Sequence, residues 1–333
     1  MESARSLTRP ARQGSRALLL QTVRHLQREP CLSVLIFHRV LSESDPLRPT
    51  EPTASEFEVR MRWVAANFDV IPLTHVVQSL KQDRLPRRAL CITFDDGYAD
   101  NHDLALPILC KLGLPATFFV ATGYLDGGCM FNDAIIEAVR RVRTPLLDLS
   151  ALNLGRYAVV TLEERRRAIS GILERLKYLD PRQRHELALR VADCAGAAVP
   201  TSLMMTSEQV AASHSSGMEI GAHTVSHPIL ADIGLDAARD EIVVGRRRLE
   251  ALTGAPVRVF AYPNGRPQRD YRREHAALVR DLGFDGAVST AWGAARAGAD
   301  VFQIPRFTPW DRSDLRFELR MIGNLWRGGY DVA

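Results

Sequence analysis

The chain has 333 residues, of which 46% are hydrophobic and 25% are charged. This is the composition of a globular protein with a sizeable core, and it excludes a disordered or low-complexity chain. No stretch approaches the roughly 20 apolar residues that a membrane span requires. The length fits one α/β barrel with insertions, so it does not demand two separate domains.

The net charge of +4 is concentrated at one end of the chain. Residues 1–30 hold six arginines against two glutamates, so the rest of the chain is neutral. We interpret residues 1–30 as a basic N-terminal arm. A solvated tail is the simpler interpretation, and peripheral contact with an anionic membrane surface is the alternative. Basic and aromatic residues do not interleave, so we expect no nucleic-acid partner.

The cysteines indicate the compartment. There are five of them, an odd number, without a Cys-x-x-Cys pair, which is typical of reduced, packed thiols. The apolar run Leu18–Leu20 is followed at once by Gln21, so it is too short for the core of a secretory signal. We therefore expect a cytoplasmic protein, with association at the inner membrane face left open by the basic arm.

Short apolar runs alternate along the chain with amphipathic stretches, a pattern that predicts alternating strands and helices in a parallel sheet or barrel. The predicted strands are residues 32–38, 89–94, 116–120, 218–223, 259–262, 286–289 and 302–304.

The pattern changes between residues 133 and 205, where arginine and glutamate are frequent and apolar positions recur at helical spacing. We interpret this segment as a helical insertion without a strong strand, and its charges as a solvated helix face. Residues 31–132 and 206–320 then form the barrel, and residues 321–333 form a C-terminal tail.

Polar residues cluster where the predicted strands end. In parallel α/β folds, chemistry gathers at the carboxyl ends of the strands. Five side chains fall there, so we expect them to meet: His38, Asp95, Asp96, His223 and Arg306.

Two short motifs predict a metal site with an adjacent base. Thr93-Phe94-Asp95-Asp96-Gly97 and His223-Thr224-Val225-Ser226-His227 together offer two imidazoles and two carboxylates. Two imidazoles and one carboxylate leave a coordination position free for water, as a hydrolytic metal requires, and the second carboxylate is left to accept a proton. Taken singly, the first motif is also an ordinary turn and the second also two unrelated surface histidines.

The histidine motif differs from the helical His-Glu-x-x-His of metalloproteases. Pro228 disfavours helical geometry at His227, and no glutamate follows His223. We therefore expect a loop at the end of a strand, and the base must come from elsewhere in the chain.

Together the two motifs resemble the first two signatures of the polysaccharide deacetylase family, also called the NodB-homology domain or carbohydrate esterase family 4. The similarity covers about residues 30–130 and 205–310. It implies a distorted (β/α) barrel of about seven strands, interrupted here by the insertion, and hydrolysis of N-acetyl groups on sugars. By position, the resemblance implies that Asp95 is the general base and that Asp96, His223 and His227 bind a divalent metal, usually Zn²⁺.

The segment Phe260-Ala261-Tyr262-Pro263-Asn264-Gly265 resembles a variant of the family's third motif. The backbone N–H of Asn264 is then the donor for a developing oxyanion, although Pro-Asn-Gly is equally a good turn. The arginine that usually orients the base is replaced by Ala261. Arg306 is the candidate substitute, with an ordinary surface arginine as the alternative.

Two further departures concern histidine. The late Leu-x-His of the family, which supplies the general acid, is absent. His38 resembles the histidine at the end of the first strand in relatives of the Phe-Ala-Tyr-Pro branch, and a hydrogen-bonded structural histidine is the alternative interpretation.

These observations predict a metal-dependent hydrolase that removes N-acetyl groups from a polysaccharide, an oligosaccharide or a lipid-linked sugar intermediate in cell-surface polysaccharide synthesis. One rival is a deacylase or imide hydrolase for a non-sugar amide, because one scaffold hosts many substrates. Another is a non-catalytic carbohydrate-binding scaffold, which the missing arginine and late histidine suggest.

Overall fold

The computed structural model describes residues 30–308, 313–327 and 329–333. The predicted basic arm, residues 1–30, lies almost entirely outside these ranges. Its contact with a membrane therefore stays a prediction.

The fold is built on one seven-stranded sheet in which the described strands pair in parallel, which confirms the predicted α/β barrel architecture. The strands are β1 Cys31–Phe37, β2 Asp69–Val70, β3 Arg88–Phe94, β4 Thr117–Val120, β5 Leu146–Leu149, β6 Gly155–Ala158, β7 Glu219–Ala222, β8 Val259–Ala261 and β9 Gly286–Val288. The strand order in the sheet is β1-β3-β4-β7-β8-β9, and β2 pairs with β3 beside this path. A separate two-stranded antiparallel sheet joins β5 to β6.

Both faces of the sheet are buried, as expected where helices cover a parallel sheet. All seven residues of β1 are buried. Leu35 and Phe37 point to the larger core between the sheet and its helices, and Leu32 and Val34 point to a second core. This two-sided burial explains why the strand reads as an almost continuous apolar run.

Residues 302–307 close the gap between the two ends of the sheet. Ile304 bridges to Val288 in β9, and Phe307 bridges to Leu35 in β1. The segment makes only these isolated bridges, so the predicted strand at 302–304 was wrong. The seventh strand is instead β2, only two residues long, and too short to give a recognisable pattern.

The described helices cover the outside of the sheet and form most of the insertion. The bounds are α1 Ala54–Asn67, α2 Leu73–Lys81, α3 Leu106–Leu112, α4 Phe131–Arg141, α5 Leu162–Leu176, α6 Pro181–Cys194, α7 Ser207–Ser215, α8 Leu235–Thr253, α9 Arg273–Asp281 and α10 Asp314–Leu325. Capping boxes start several of them: in α5, the side chain of Thr161 accepts from Glu164 N–H, and the Glu164 carboxylate accepts from Thr161 N–H.

The insertion is mainly helical, but it also contains the hairpin β5–β6, whereas the sequence predicted no strong strand there. Each strand of the hairpin has four residues, and β6 has no fully buried position. The hydrophobic pattern of the hairpin is therefore weak. Helices α4, α5 and α6 pack with the hairpin around a core of their own, which includes Ile135, Leu149, Ile172 and Val191.

The C-terminal segment is more ordered than a tail. Helix α10 continues to Leu325, because Met321 and Leu325, one turn apart, are both buried against the main core. The predicted tail at 321–333 therefore begins too early. Among the described residues, no helix combines the length and apolarity needed to cross a membrane.

Candidate metal centre and active site

Three side chains predicted as metal ligands meet at the carboxyl ends of the strands. Asp96 follows β3, and the two histidines lie in the loop after β7. Asp96 Oδ1 lies 3.5 Å from Nε2 of His223 and 3.4 Å from Nε2 of His227. All three donor atoms lie within 4.8 Å of one another. The sequence therefore predicted correctly that these residues come together.

The donor set fits a divalent cation. Ligand atoms bound tetrahedrally to one zinc ion are about 3.4 Å apart, given bond lengths of roughly 2.0–2.2 Å, and both distances to Asp96 Oδ1 agree with this. Asp96 Oδ1 is buried and has no hydrogen-bond partner among the described residues. An unpaired buried carboxylate oxygen is costly, and a cation between the three donors would satisfy it.

The ring of His223 is oriented for coordination. Its Nδ1 lies 2.8 Å from the carbonyl oxygen of Ala261 in β8. Because a carbonyl only accepts, Nδ1 carries the proton and Nε2 is left with the lone pair. Burial opposes a charged ring, but the carboxylates of Asp95 and Asp96 outweigh it and raise the pKa of His223.

The ring of His227 is held in its neutral form. Burial lowers its pKa to about 3, although the Asp96 carboxylate acts in the opposite direction. Neutral imidazole is the form that binds a metal. The predicted loop geometry is confirmed: β7 ends at Ala222, and His227 has a left-handed backbone with φ of 52°.

A carboxylate from α8 supports the histidine loop, and no motif in the sequence indicates this role. Glu241 Oε2 accepts hydrogen bonds from the backbone N–H groups of Val225 at 2.9 Å and Ser226 at 2.8 Å, and Oε1 accepts from Ser226 Oγ at 2.7 Å. One turn later, Gly245 lets α8 approach closely, since a Cβ there would lie 2.9 Å from Thr224 O. Glu241 therefore fixes the loop that carries His223 and His227.

Asp95 lies beside the ligands but is bound to an arginine. Nη1 and Nη2 of Arg306 each lie 2.6 Å from one carboxylate oxygen of Asp95. Arg306 also donates from Nε to Ser289 O at 2.9 Å, and it is 1% exposed. The alternative of an ordinary surface arginine is excluded. Arg306 makes this contact because it lies in the segment that closes the sheet.

The environment keeps Asp95 ionised. Burial opposes the charge, but the guanidinium of Arg306, followed by His223, holds the pKa of Asp95 below its ordinary value. Its Oδ2 lies 3.9 Å from Nε2 of His223. Asp95 is thus a charged acceptor next to the metal ligands and outside their set.

The turn after β3 separates the two carboxylates. Asp96 has φ of 76°, and Gly97 has φ of 85°. A Cβ at Gly97 would lie 2.9 Å from Cγ1 of Val120. Only glycine combines that backbone with that close approach, which explains the Asp-Asp-Gly order at the strand end.

Asn264 lies at the edge of the same cavity. Its backbone has φ of 58°, its carbonyl accepts from Thr290 Oγ1 at 2.7 Å, and its N–H donates no hydrogen bond to a described residue. The turn interpretation and the donor interpretation are therefore compatible. The role of the N–H as an oxyanion donor stays a prediction.

His38 follows β1 and lines the cavity of about 410 Å³ that also holds Asp95, Asp96, His223 and His227. Its carbonyl accepts from Nδ2 of Asn101 at 2.8 Å. The structure thus brings every predicted site residue except Arg306 to the lining of one cavity, and Arg306 reaches the site through its contact with Asp95. The catalytic role of His38 stays a prediction.

The insertion contributes to the site, which the sequence did not reveal. Arg184 of α6 is buried, its Nη2 donates to His227 O at 3.1 Å, and its guanidinium stacks over Phe131. On sequence alone, Arg184 is one member of a charge run that reads as a solvated face. Its burial depends on tertiary packing that no local pattern records.

Comparison with known proteins agrees with this geometry. The family model described as polysaccharide deacetylase matches residues 82–145 and 184–287, about half of the chain. The protein YxkH of Bacillus subtilis is 35% identical over 91 residues, which are 27% of this chain and 31% of YxkH. The poly-beta-1,6-N-acetyl-D-glucosamine N-deacetylase of Staphylococcus epidermidis is 29% identical over 97 residues, 29% of this chain and 34% of that protein. The matches span about a third of these relatives.

The fold has a close counterpart among solved structures. The Streptococcus pyogenes deacetylase PplD, solved in complex with acetate, superimposes with a TM-score of 0.60 at 17% identity, covering 89% of this chain and 99% of PplD. At that identity the likeness concerns the fold alone. The family match spans both metal-ligand motifs, and on that ground the chain belongs to the polysaccharide deacetylase family.

Proposed function

We propose that this protein is a metal-dependent hydrolase that removes N-acetyl groups from an N-acetylated polysaccharide, oligosaccharide or lipid-linked sugar intermediate. One observation carries the proposal: the three-ligand cluster of Asp96, His223 and His227 shares a cavity with a separate carboxylate, Asp95. This arrangement provides both a metal site with a free position and a base. The activity of the Staphylococcus epidermidis relative is consistent with it.

Each group in the cavity would have its own role in amide hydrolysis. A bound divalent cation, most simply Zn²⁺, supplies Lewis acidity to the amide carbonyl and to water. Asp95 accepts the proton from water as it attacks the carbonyl carbon. The N–H of Asn264 donates to the oxygen on which charge develops. His38 is the imidazole outside the ligand set among the described cavity residues, and it delivers a proton to the departing amine.

Arg306 acts through Asp95. Its two hydrogen bonds fix both carboxylate oxygens and hold the group in the charged form that accepts a proton. This is the task that the resemblance assigns to the missing arginine of the third motif. A residue from the segment that closes the sheet thus takes that place.

The direct test is acetate release from N-acetylglucosamine oligomers by purified protein. We expect release that is lost after chelation and recovered on addition of Zn²⁺. Parallel assays on small linear amides and cyclic imides separate the sugar deacetylase from a deacylase of other amides. If metal-replete protein binds the oligomers without releasing acetate, and binding survives Asp95→Asn, the scaffold alternative replaces this proposal.

We also propose that the protein works in the cytoplasm. The five cysteines lie within the described residues, and all are free thiols, three of them buried. Reduced thiols fit a reducing compartment. Quantitative fractionation with compartment markers checks this, and recovery with an exported marker would contradict it.

A further inference from the structure

One wall of the cavity carries three cationic side chains. Lys177 lies at the end of α5, Arg184 lies in α6, and Arg269 lies in the loop after β8. All three line the cavity that contains Asp95 and the metal ligands. Two of them come from the insertion, and none has a role in the chemistry described above. We call this group the cationic wall.

No carboxylate in the described part of the protein forms an ion pair with the cationic wall. None of the three side chains has a described carboxylate oxygen within 4.0 Å. Glu174 lines the same cavity, and the carboxylate of Asp270 attracts Lys177 electrostatically, but neither is that close. The wall therefore has an excess of positive charge.

Arg184 shows the imbalance most clearly, because it is 2% exposed. Its Nη1 and Nη2 donate to the carbonyl oxygens of Lys177 at 3.4 Å and His227 at 3.1 Å, and its guanidinium stacks on Phe131 at 4.3 Å. These are contacts with neutral groups, and Asp180, a carboxylate that attracts this guanidinium, does not come within 4.0 Å of it. A buried charge without a close counter-charge is costly, so an anion in the cavity would stabilise this arrangement.

The other two members are arranged around one aromatic ring. Lys177 Nζ lies 5.7 Å from the ring centre of Tyr178, and the Arg269 guanidinium lies 5.2 Å from it. Arg269 also donates a hydrogen bond to the Tyr178 hydroxyl. Burial, together with the charges of Arg266, Arg269 and Arg184, lowers the pKa of Lys177. The Tyr178 ring thus contacts both Lys177 and Arg269, and Arg184 lines the same cavity.

We propose that the cationic wall binds an anionic group, which is either a carboxylate on the unit next to the acetylated sugar or a phosphate linked to the acetylated sugar itself. The substrate is then an acidic N-acetylated glycan or a phosphate-linked N-acetylated sugar. This inference rests on the proposed deacetylase function, because it deepens the substrate class of the same cavity. The cavity of about 410 Å³ has room for more than an acetamide group.

The experiment compares kcat/KM for acetate release from substrates that differ in charge. The carboxylate arm pairs a hexasaccharide of alternating N-acetylglucosamine and glucuronate with the neutral N-acetylglucosamine hexamer. The phosphate arm pairs N-acetylglucosamine 1-phosphate with N-acetylglucosamine. We expect at least tenfold preference for the charged member in one arm, which identifies the source of the anion. Equal rates within both pairs would overturn the proposal.

Variants locate the effect on the cationic wall. Lys177→Gln and Arg269→Gln should each reduce the charged-to-neutral rate ratio about tenfold. Arg190→Gln is the matched control, because Arg190 is exposed on α6 and does not line the cavity, and it should leave the ratio unchanged. A ratio equally unaffected in all three variants would contradict the assignment.

A binding measurement separates failure of this inference from failure of the proposed function. Calorimetry measures the affinity of metal-free protein for the glucuronate hexasaccharide. Neither turnover nor metal coordination contributes to this affinity, so it tests the cationic wall alone. If no substrate releases acetate but Lys177→Gln binds about tenfold more weakly than wild type, the wall is an anion site and the deacetylase proposal has failed. Equal binding by wild type and variant would reject the anion site.

Discussion

Arg306 and Asp95, 211 positions apart in the chain, form a buried two-point ion pair with both contacts at 2.6 Å. The pair exists because residues 302–307 close the sheet between β9 and β1, and β1 pairs with β3, the strand that Asp95 follows. It joins the last part of the barrel to the acidic motif of the candidate site. Asp95 is thereby fixed next to the candidate metal ligands and outside their cluster.

Loss of the two hydrogen bonds from Arg306 should disable Asp95 as the proposed base. Arg306→Gln leaves the buried carboxylate without its counter-charge, which costs about 3–5 kcal/mol of stability, and acetate release should fall at least about a hundredfold. Arg306→Lys retains the charge but not the paired geometry, so it should fold better and still be slow. Thermal melts and acetate assays check both variants, and wild-type kinetics in Arg306→Lys would show that orientation is unimportant.

Removing the His38 imidazole should slow turnover without releasing metal. Because His38 lines the cavity but lies outside the ligand cluster, His38→Gln should lower kcat by roughly 10²–10⁴ if it moves a proton. His75→Gln changes an exposed histidine in α2 and is the matched control. Unchanged kcat in His38→Gln would return this residue to a structural role.

Glu241 is predicted to control metal affinity through the loop backbone. Glu241→Gln disturbs the three hydrogen bonds to Val225 and Ser226, so metal affinity should fall about 10–100-fold. Asp240→Asn, exposed on the same helix, is the control and should bind normally. Competition with a chromogenic chelator measures both affinities. Equal affinities would mean that the loop holds its shape without this carboxylate.

The Asn264 prediction distinguishes a backbone donor from a side-chain donor. Asn264→Gly retains the N–H and tolerates φ of 58°, so kcat should stay within a few-fold of wild type. Asn264→Ala also retains the N–H, but it should melt at lower temperature because alanine is strained there by about 1 kcal/mol. A hundredfold loss of kcat in Asn264→Gly would mean that the side-chain amide is the required group.

The sequence predicted the barrel and the site where the local pattern was sufficient. Strands buried on both faces, such as β1 and β3, gave clear apolar runs, and the paired motifs identified Asp95, Asp96, His223 and His227. Asp96 and the two histidines meet as expected because parallel strands end at the same edge of the sheet.

The parts that sequence reasoning missed depend on contacts between distant segments. Residues 302–304 look like a strand, yet they make only isolated bridges between β9 and β1. Glu241 and Arg184 lie among ordinary charged helix residues, and only packing shows that one holds the histidine loop and the other lines the cavity. The short hairpin β5–β6 lacks the alternation by which strands are recognised.

The most direct test of the central claim is metal stoichiometry in two variants of adjacent carboxylates. Purified Asp95→Asn and Asp96→Asn are loaded with Zn²⁺, freed of excess ion, and measured by mass spectrometry alongside an acetate assay. We expect Asp95→Asn to keep about one equivalent of metal while losing turnover, and Asp96→Asn to lose both. Retention of metal by a folded Asp96→Asn, or its loss from a folded Asp95→Asn, would contradict the division of roles between the two carboxylates.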